Sequence, residues 1–218
     1  MNYRIIITED HPLFRSALRT ALSQGLGDTS LSEASSFDEL QSLLENTEAP
    51  DLILLDLQIP GAHGFSALIY LRSHHPEIPV AVISAREEAS VIHQSLKHGA
   101  CGFIPKSSPL DTLTSAVSRV LEGDVWTPAD IEPTPEQDDT DQDQLNEKIA
   151  SLTPQQFKVL GMLRDGLRNK QIAWELQVSE ACIKAHVTAI FRKLGINNRT
   201  QAVIALQQME FEAEPDLK

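Results

Sequence analysis

Five polar residues stand at the ends of apolar runs in the first half of the chain, where their side chains could do chemistry together. They are Glu9, Asp10, Asp56, Ser84 and Lys106. Three carboxylates held close together repel one another, and Mg²⁺ relieves that repulsion best, because it accepts few carboxylates and keeps waters and a phosphate oxygen. Asp56 would then be a nucleophile toward phosphorus, and Mg²⁺ with Lys106 would neutralise the phosphoryl oxygens.

These residues converge only if the apolar runs form one parallel sheet. Candidate strands and helices alternate through residues 1–123, and this spacing implies right-handed crossovers with helices on both faces of the sheet. The runs ILLDL and VAVIS are almost continuously apolar, which is typical of strands buried on both faces. Ligands of such a sheet gather at the carboxyl ends of its strands. We predict strands over 4–8, 30–34, 51–56, 80–84 and 101–106, and helices over 12–24, 37–46, 65–74, 88–98 and 109–122.

Charge is distributed unevenly along the chain. The net charge of −13 argues by itself against a nucleic-acid partner. Residues 151–207, however, carry eight basic and three acidic residues, and a locally positive surface is what phosphate contacts need. Prolines and the stretch PEQDDTDQDQ indicate a linker between the two halves. We predict a first domain over 1–123, an acidic linker over 124–150, a second domain over 151–210 and an acidic tail over 211–218.

The second domain has the pattern of several short helices. Thr153 and Gln156 form a capping-box pattern at the start of one helix. We expect Asn169 and Ser179 to cap the two helices that follow. Leu145, Ile149 and Leu152 hint at a further short helix leading into this domain. We expect Trp174 to pack inside the domain.

The helix expected over 180–194 has an apolar face and a polar strip. At 100° per residue, one narrow arc holds the apolar residues Ile183, Val187, Ile190, Phe191 and Leu194. Lys184, Thr188 and Arg192 follow one another at four-residue spacing on another arc, with Ala185 beside them. Lysine bonds guanine, threonine bonds either edge type, and alanine contacts the thymine methyl group. The residues better placed for phosphate contacts are Arg168, Lys170, His186, Lys193 and Arg199.

Both halves of the chain resemble one bacterial family. The segments TEDHP, LLDLQIPG, VISA and GFIPK resemble the receiver domain of response regulators over about residues 3–122. NKQIA, VSE, KAH, RKLG and NRTQAV resemble the LuxR-type helix-turn-helix. The whole is similar to a two-component response regulator of the NarL/FixJ type. This resemblance implies a doubly wound five-stranded parallel sheet of order 2-1-3-4-5, followed by a small all-α domain.

The resemblance also implies roles in the receiver. Asp56 would accept a phosphoryl group from a sensor histidine kinase. Ser84 would bond a phosphoryl oxygen and move inward, and Phe103 would then turn from outside to inside as an aromatic switch. The expected Mg²⁺ ligands are Glu9, Asp10, Asp56 and the backbone carbonyl of Gln58. The chain departs from the family where Gln58 stands in place of the frequent Met, and where Ser107 rather than Pro follows Lys106.

For the second domain, the resemblance implies reading of promoter DNA by a homodimer. Lys184, Ala185 and Thr188 match the base-reading positions. The last helix, expected over 199–209, would pair across a two-fold axis. The residues expected at that interface are Val203, Leu206 and Met209.

Two other functions compete with regulation of transcription. The receiver could be a docking module whose partner domain binds protein, or the chain could be a phosphatase working through Asp56. We expect no enzymatic activity beyond phosphoryl acceptance and slow self-dephosphorylation. The chain has no apolar run long enough for a membrane span and no signal-peptide pattern at its start. We expect reduced cysteines at Cys101 and Cys182 and a location in the bacterial cytoplasm.

Overall fold

The structure is a computed structural model that describes residues 3–128 and 140–207, without the side chains of 63, 140–143, 146, 203 and 205–207. The chain forms two compact units, Met1–Glu136 and Gln137–Lys218. Among the described residues, no helix combines the length and the apolar character needed to cross a membrane. Cys101 and Cys182 are both free thiols in the structure.

The first unit alternates strands and helices. In chain order its elements are β1 (Tyr3–Thr8), α1 (Pro12–Gly25), β2 (Thr29–Ala34), α2 (Phe37–Asn46), β3 (Leu52–Asp56), β4 (Gln58–Ile59), β5 (Ala62–His63), α3 (Ser66–His74), β6 (Val80–Ser84), α4 (Ala89–Lys97), β7 (Gly102–Pro105) and α5 (Leu110–Leu121). The five-stranded sheet has the order β2-β1-β3-β6-β7, and its strand pairs are parallel. Because β4 and β5 form a separate hairpin, β6 and β7 are the fourth and fifth strands of this sheet. The predicted order 2-1-3-4-5 is therefore confirmed.

The central strands are buried on both faces, as their apolar sequences predict. Every residue of β3 and β6 is buried. One face of the sheet packs against α1 and α5, and the core there includes Ile5, Ile7, Leu54, Ile83, Leu18, Leu22, Leu113 and Val117. In the register of β3 and β6, Asp56 pairs with Ile83. The polar residues that end these strands are thereby brought to one edge of the sheet.

A two-stranded hairpin follows β3 and was not predicted from the sequence. Gln58 pairs with His63 and Ile59 with Ala62 in antiparallel register. The turn between them contains Gly61 at φ 85°, a left-handed conformation that glycine adopts without a steric penalty. The Pro60 carbonyl accepts a hydrogen bond from the Phe37 backbone N–H at 2.9 Å. The hairpin is thereby anchored to the start of α2.

The segment after α5 returns to the open edge of the sheet. Trp126 forms a parallel bridge with Gly102. The Trp126 backbone N–H donates to the Cys101 carbonyl at 3.3 Å, and the Phe103 N–H donates to the Trp126 carbonyl at 2.9 Å. A Cβ atom on Gly102 would lie 3.1 Å from the Trp126 carbonyl oxygen and from Val120 Cγ2. A side chain at position 102 would therefore push this edge segment around Trp126, which we call the Trp126 strap, away from β7 by a few tenths of an ångström.

The second unit is helical. Its elements are α6 (Thr140–Ala150), α7 (Pro154–Arg164), α8 (Asn169–Glu175), α9 (Glu180–Leu194) and α10 (Arg199–Gln207). Thr153 and Gln156 form the predicted capping box, and Ser179 accepts a hydrogen bond from the Cys182 N–H, as predicted for a cap. Gly195 ends α9 in the left-handed conformation at φ 72°.

Two predictions for α8 are wrong. Asn169 is the first residue inside the helix rather than its cap. Arg168 occupies the cap position, and its backbone N–H donates to Gln171 Oε1 at 2.8 Å. The glutamine side chain thus supplies the hydrogen-bond acceptor for that N–H at the start of the helix. Trp174 is 78% exposed, whereas its neighbour Ala173 is buried. One step of 100° along the helix turns Trp174 away from the face that Ile172 and Ala173 bury.

The segment predicted as a linker, 124–150, has structure at both ends. Its first residues include the Trp126 strap. Its last eleven residues form α6, where Ile149 is fully buried, as is Leu152 after the helix ends. A helix leading into the second unit was indicated by the sequence and is present. The bounds of the linker itself stay a prediction, because residues 129–139 lie outside the described ranges.

Candidate functional site

The predicted carboxylate pocket lies at the carboxyl edge of the sheet. Glu9 follows β1, Asp56 ends β3, and Lys106 follows β7. Glu9 and Asp56 are only 1% and 2% exposed. Lys106 Nζ lies 2.8 Å from Asp56 Oδ2 and 2.6 Å from Glu9 Oε2. The structure therefore brings together three residues that stand 47 and 50 positions apart in the sequence.

The charges of this pocket shift the pKa values of two groups. Burial raises the pKa of Asp56 above the ordinary aspartate value, Lys106 offsets part of that rise, and the charge of Glu9 adds to it. For Lys106, burial alone lowers the pKa, but the contacts with Asp56 and Glu9 outweigh burial, so the pKa is raised. Lys106 is therefore a cation at neutral pH and balances the buried carboxylates.

The same pocket has the donor atoms of a metal site. Glu9, Asp10, His11 and Asp56 each place one possible ligand atom within 4.8 Å of the others. Within the described part of the chain, the buried oxygens Glu9 Oε2 and Asp10 Oδ1 have no hydrogen bond of normal geometry, although Lys106 and His11 approach them as ion pairs. Carboxylate oxygens are ligands that hard divalent cations prefer. The cluster could therefore hold a metal ion.

The sequence predictions missed His11, which belongs to this pocket, and Thr8, which precedes Glu9 in the chain. His11 Nδ1 lies 2.9 Å from Glu9 Oε1 and 2.7 Å from Asp10 Oδ1. The His11 backbone N–H also donates to Glu9 Oε1 at 3.0 Å. Thr8 is 1% exposed, and its hydroxyl has no hydrogen-bond partner among the described residues. Adjacency to Glu9 and Asp10 in the segment TEDHP was the available signal for both residues.

The predicted switch residues lie on neighbouring strands. Ser84 is buried and stands opposite Pro105 in the register of β6 and β7. Its hydroxyl oxygen accepts a hydrogen bond from the Arg86 backbone N–H at 3.1 Å, and its carbonyl accepts one from the Lys106 N–H at 2.8 Å. Phe103 is fully buried. The structure thus places this ring inside the unit, and its turn from outside to inside stays a prediction.

Gln58 contacts the pocket through its backbone. Its N–H donates to Asp56 Oδ1 at 3.1 Å, so both oxygens of Asp56 have partners. The Gln58 side chain is exposed. The role predicted for its carbonyl, as a Mg²⁺ ligand, stays a prediction.

The second candidate site is the exposed face of α9. Lys184, Ala185, Thr188 and Arg192 are exposed, while Ile183, Ile190 and Leu194 are buried on the opposite face. Lys184 Nζ lies 3.1 Å from Glu180 Oε1, and the Thr188 hydroxyl donates to the Lys184 carbonyl at 2.9 Å. The polar strip is therefore available to a partner of this helix.

The residues predicted to contact phosphate fall into two groups. Arg168 and Lys170 are exposed, and His186 is half-buried. Lys193 instead donates to the Ser151 carbonyl at 2.6 Å and to Gln156 Oε1 at 2.8 Å. Arg199 donates to the Leu163 carbonyl in the last turn of α7 and to the Leu167 carbonyl beyond the helix. These contacts argue against phosphate contacts by Lys193 and Arg199, because both cations are used to hold their own domain together.

The predicted dimer residues lie at the limit of what the structure describes. The backbone of Val203 and Leu206 belongs to α10, but their side chains are outside the described set, as is the whole of Met209. On the same helix, Ala202 is buried and Ile204 is 48% exposed. An exposed apolar residue is thus present on α10.

Comparison with known proteins identifies the family. The profile of the response regulator receiver domain matches residues 5–118, and that of the luxR family of bacterial regulatory proteins matches residues 150–206. The chain is 40% identical over 218 residues to the glycerol metabolism activator of Pseudomonas putida, covering 97% of this chain and 98% of that protein. It is 28% identical over 210 residues to the nitrate/nitrite response regulator NarL of Escherichia coli K12, covering 94% of each. The chain is a response regulator of the NarL/FixJ family.

A solved structure agrees with this family at the level of the fold. The RcsB response regulator of Salmonella typhimurium superposes with a TM-score of 0.56 at 22% identity, covering 95% of this chain and 98% of that one. The two family profiles confirm the predicted combination of a receiver and a LuxR-type helix-turn-helix. This response regulator is a DNA-binding regulator of transcription.

Proposed function

We propose that Asp56 of this response regulator accepts a phosphoryl group from the phosphohistidine of a sensor kinase, and that this step controls DNA binding. A carboxylate oxygen of Asp56 bonds to phosphorus as the phosphorus–nitrogen bond breaks, and the electron pair of that bond stays on the histidine nitrogen. The observation that carries the proposal is the Lys106 ammonium held 2.8 Å from Asp56 Oδ2.

The proposed cofactor is Mg²⁺. Its ligands would be Glu9, Asp10, Asp56 and the Gln58 carbonyl, which form an oxygen donor set suited to a hard cation. Once bound, the ion supplies positive charge that stabilises the phosphoryl oxygens during transfer. Glu9 and Asp10 would hold the ion, and support for this comes from the buried oxygens Glu9 Oε2 and Asp10 Oδ1, which lack hydrogen bonds among the described residues.

Lys106 and Ser84 would bind the new phosphoryl group. The Lys106 ammonium already contacts Asp56 and needs only a small shift to bond a phosphoryl oxygen. Ser84 would donate its hydroxyl proton to a second oxygen, since its present hydrogen bond uses the hydroxyl only as acceptor. Inward movement of Ser84 would then favour the buried position of Phe103. Water would hydrolyse the phosphoryl–aspartate bond slowly, and its path to the phosphorus atom would run beside Gln58 and Arg86. We propose no other enzymatic activity.

We further propose that α9 reads base edges in the major groove of promoter DNA. Its exposed strip offers Lys184, Ala185 and Thr188 to the bases and Arg192 at the far end. Arg168, Lys170 and His186 would contact phosphates. Lys193 and Arg199 are left out of this set because of their contacts within the domain.

The active form is proposed to be a homodimer that reads two half-sites. The proposed interface is α10 with Val203, Leu206 and Met209, and the exposed Ile204 supports an apolar contact there. Because the DNA partner lies in the bacterial cytoplasm, we place the protein there as well. The name of the Pseudomonas putida relative makes promoters of glycerol metabolism the first ones to test.

The phosphoryl chemistry is tested by intact mass. The full chain is incubated with Mg²⁺ and acetyl phosphate, and the wild type is expected to gain one phosphoryl group while Asp56→Asn gains none. Asp51→Asn is the matched control, because Asp51 lies one strand-length earlier and outside the pocket, and it should be phosphorylated normally. A full mass gain in Asp56→Asn would overturn the assignment.

A further inference from the structure

An ion pair lies at the N-terminal end of α9, the helix that is proposed to read DNA. Glu180 is the first residue of α9, and its Oε1 lies 3.1 Å from the Nζ of Lys184, one turn later. The side chains of Glu180 and Lys184 are 47% and 65% exposed. In a helix-turn-helix, residues at the N-terminal end of the second helix reach the base edges. The pair therefore stands at the end of α9 where sequence is read.

The pair matches the edge of one type of base pair. In the major groove, a G·C pair presents the acceptor O6 of guanine beside the donor N4 of cytosine. The ammonium of Lys184 is a donor, and the carboxylate of Glu180 beside it is an acceptor. We propose that Glu180 and Lys184 read one G·C pair as a unit, with Lys184 donating to guanine O6 and Glu180 accepting from cytosine N4. This inference rests on the proposed reading of DNA by α9.

The same geometry discriminates against the other base pairs. At A·T and C·G, a donor would face the ammonium and an acceptor would face the carboxylate, so both contacts are lost. T·A keeps the order of acceptor and donor but puts the thymine methyl group where guanine offers N7. The expected order of preference at this position is therefore G·C first, T·A second, and A·T and C·G last.

The hydroxyl of Thr188, on the same polar strip, is free to contact a different base pair from the one that Glu180 and Lys184 read. The Thr188 hydroxyl donates to the Lys184 carbonyl, so its oxygen is left to accept from a base one step further along the groove.

Glu175 supplies a matched control, because it is an exposed carboxylate on α8 rather than on α9. Removing the charge of Glu175 changes the total charge by the same amount as removing that of Glu180.

The test compares base preferences of the full chain with a duplex DNA library of randomised sequence. Glu180→Gln should lose about tenfold discrimination at one G·C position and keep the others, because an amide both donates and accepts. Glu175→Gln should strengthen binding to all sequences alike. If Glu180→Gln behaves like Glu175→Gln, the pair is a helix-stabilising contact and the inference is overturned.

A third variant separates this inference from the proposed function. Lys184→Ala should weaken the same G·C preference and lower affinity. If Lys184→Ala changes the preference and Glu180→Gln does not, only the role of Glu180 fails. If neither the wild type nor Lys184→Ala shows any base preference at this position, the reading of DNA by α9 fails, and the inference fails with it.

Discussion

Lys106 Nζ lies 2.8 Å from Oδ2 of Asp56, so the proposed phosphoryl acceptor is paired with a cation of its own chain. Glu9 Oε2 lies 2.6 Å from the same ammonium. The lysine thus balances two buried carboxylates before transfer and is within reach of a phosphoryl oxygen afterwards. The balance of charge is incomplete, because one ammonium faces two carboxylates.

Asp56→Asn should stabilise the receiver in metal-free buffer. Because burial raises the pKa of Asp56 in the folded protein, the folded state holds the proton more tightly than the unfolded state. The free energy of unfolding of the wild type therefore falls as the pH rises from the ordinary aspartate pKa through the raised pKa of Asp56. Asparagine removes the penalty, so the variant should gain about 1 kcal/mol at pH 8 and less as the pH falls toward 5.

Urea unfolding in the presence of a chelator measures this difference at each pH. Asp28→Asn is the matched control, since Asp28 lies in an exposed turn and its replacement should leave stability unchanged. Added Mg²⁺ should stabilise the wild type more than Asp56→Asn. A wild type more stable than Asp56→Asn at both pH values would show that the Lys106 contact dominates burial.

Ser84→Ala should uncouple phosphorylation from DNA affinity. The variant lacks the hydroxyl that is proposed to bond the phosphoryl oxygen, and the Arg86 N–H loses its acceptor, at a cost of about 1 kcal/mol in stability. Asp56 should still be phosphorylated. Beryllofluoride mimics the phosphoryl group, and the ratio of the promoter Kd without it to the promoter Kd with it should fall toward one in Ser84→Ala and be kept in Ser84→Thr. An undiminished ratio in Ser84→Ala would remove Ser84 from the switch.

Gly102→Val should detach the Trp126 strap. A Cβ atom at Gly102 would meet the Trp126 carbonyl oxygen at 3.1 Å, and overpacking of this kind costs about 1–3 kcal/mol. In a Trp174→Phe background, Trp126 is the remaining tryptophan, so its fluorescence reports on the strap alone. Emission should shift to the red in Gly102→Val. Unchanged emission together with unchanged stability would show that β7 tolerates the side chain and that the strap is loose.

Lys193→Met should change the stability of the second domain but not its DNA binding, whereas Lys170→Met should change DNA binding but not stability. Lys193 donates to the Ser151 carbonyl and to Gln156, so its loss should destabilise the second domain by about 1–2 kcal/mol and leave the salt dependence of DNA binding unchanged. Lys170 is exposed, so its loss should leave stability unchanged and reduce the salt slope by about one. Thermal unfolding and binding at several salt concentrations measure both. A reduced salt slope in Lys193→Met would restore Lys193 as a phosphate contact.

The sheet and the pocket were predictable because their signals are strong and local. ILLDL and VAVIS are apolar on both faces, and the polar residues that end the runs must meet when parallel strands align. Hairpin β4–β5 was not predictable, because strands of two residues have no periodicity. The Trp126 strap was also missed, since backbone pairing with an open edge leaves no pattern in side chains.

Side-chain partners were the least predictable feature. Trp174 is large and apolar, but its position on α8 is set by Ile172 and Ala173, which bury the opposite face. Lys193 and Arg199 are basic residues in a basic domain, and composition alone cannot separate a cation that binds carbonyls of its own domain from one that binds phosphate. The Glu180–Lys184 pair was not predicted, because a spacing of four residues allows an ion pair on a helix but does not show whether the lysine contacts the glutamate or a partner.

The most direct test of the account measures promoter affinity of the wild type and Asp56→Asn, each with Mg²⁺ and with or without beryllofluoride, which mimics the phosphoryl group. We predict that beryllofluoride strengthens binding by the wild type at least fivefold, about 1 kcal/mol or more, and leaves the affinity of Asp56→Asn unchanged. Equal strengthening in both proteins, or none in the wild type, would contradict control of DNA binding through Asp56.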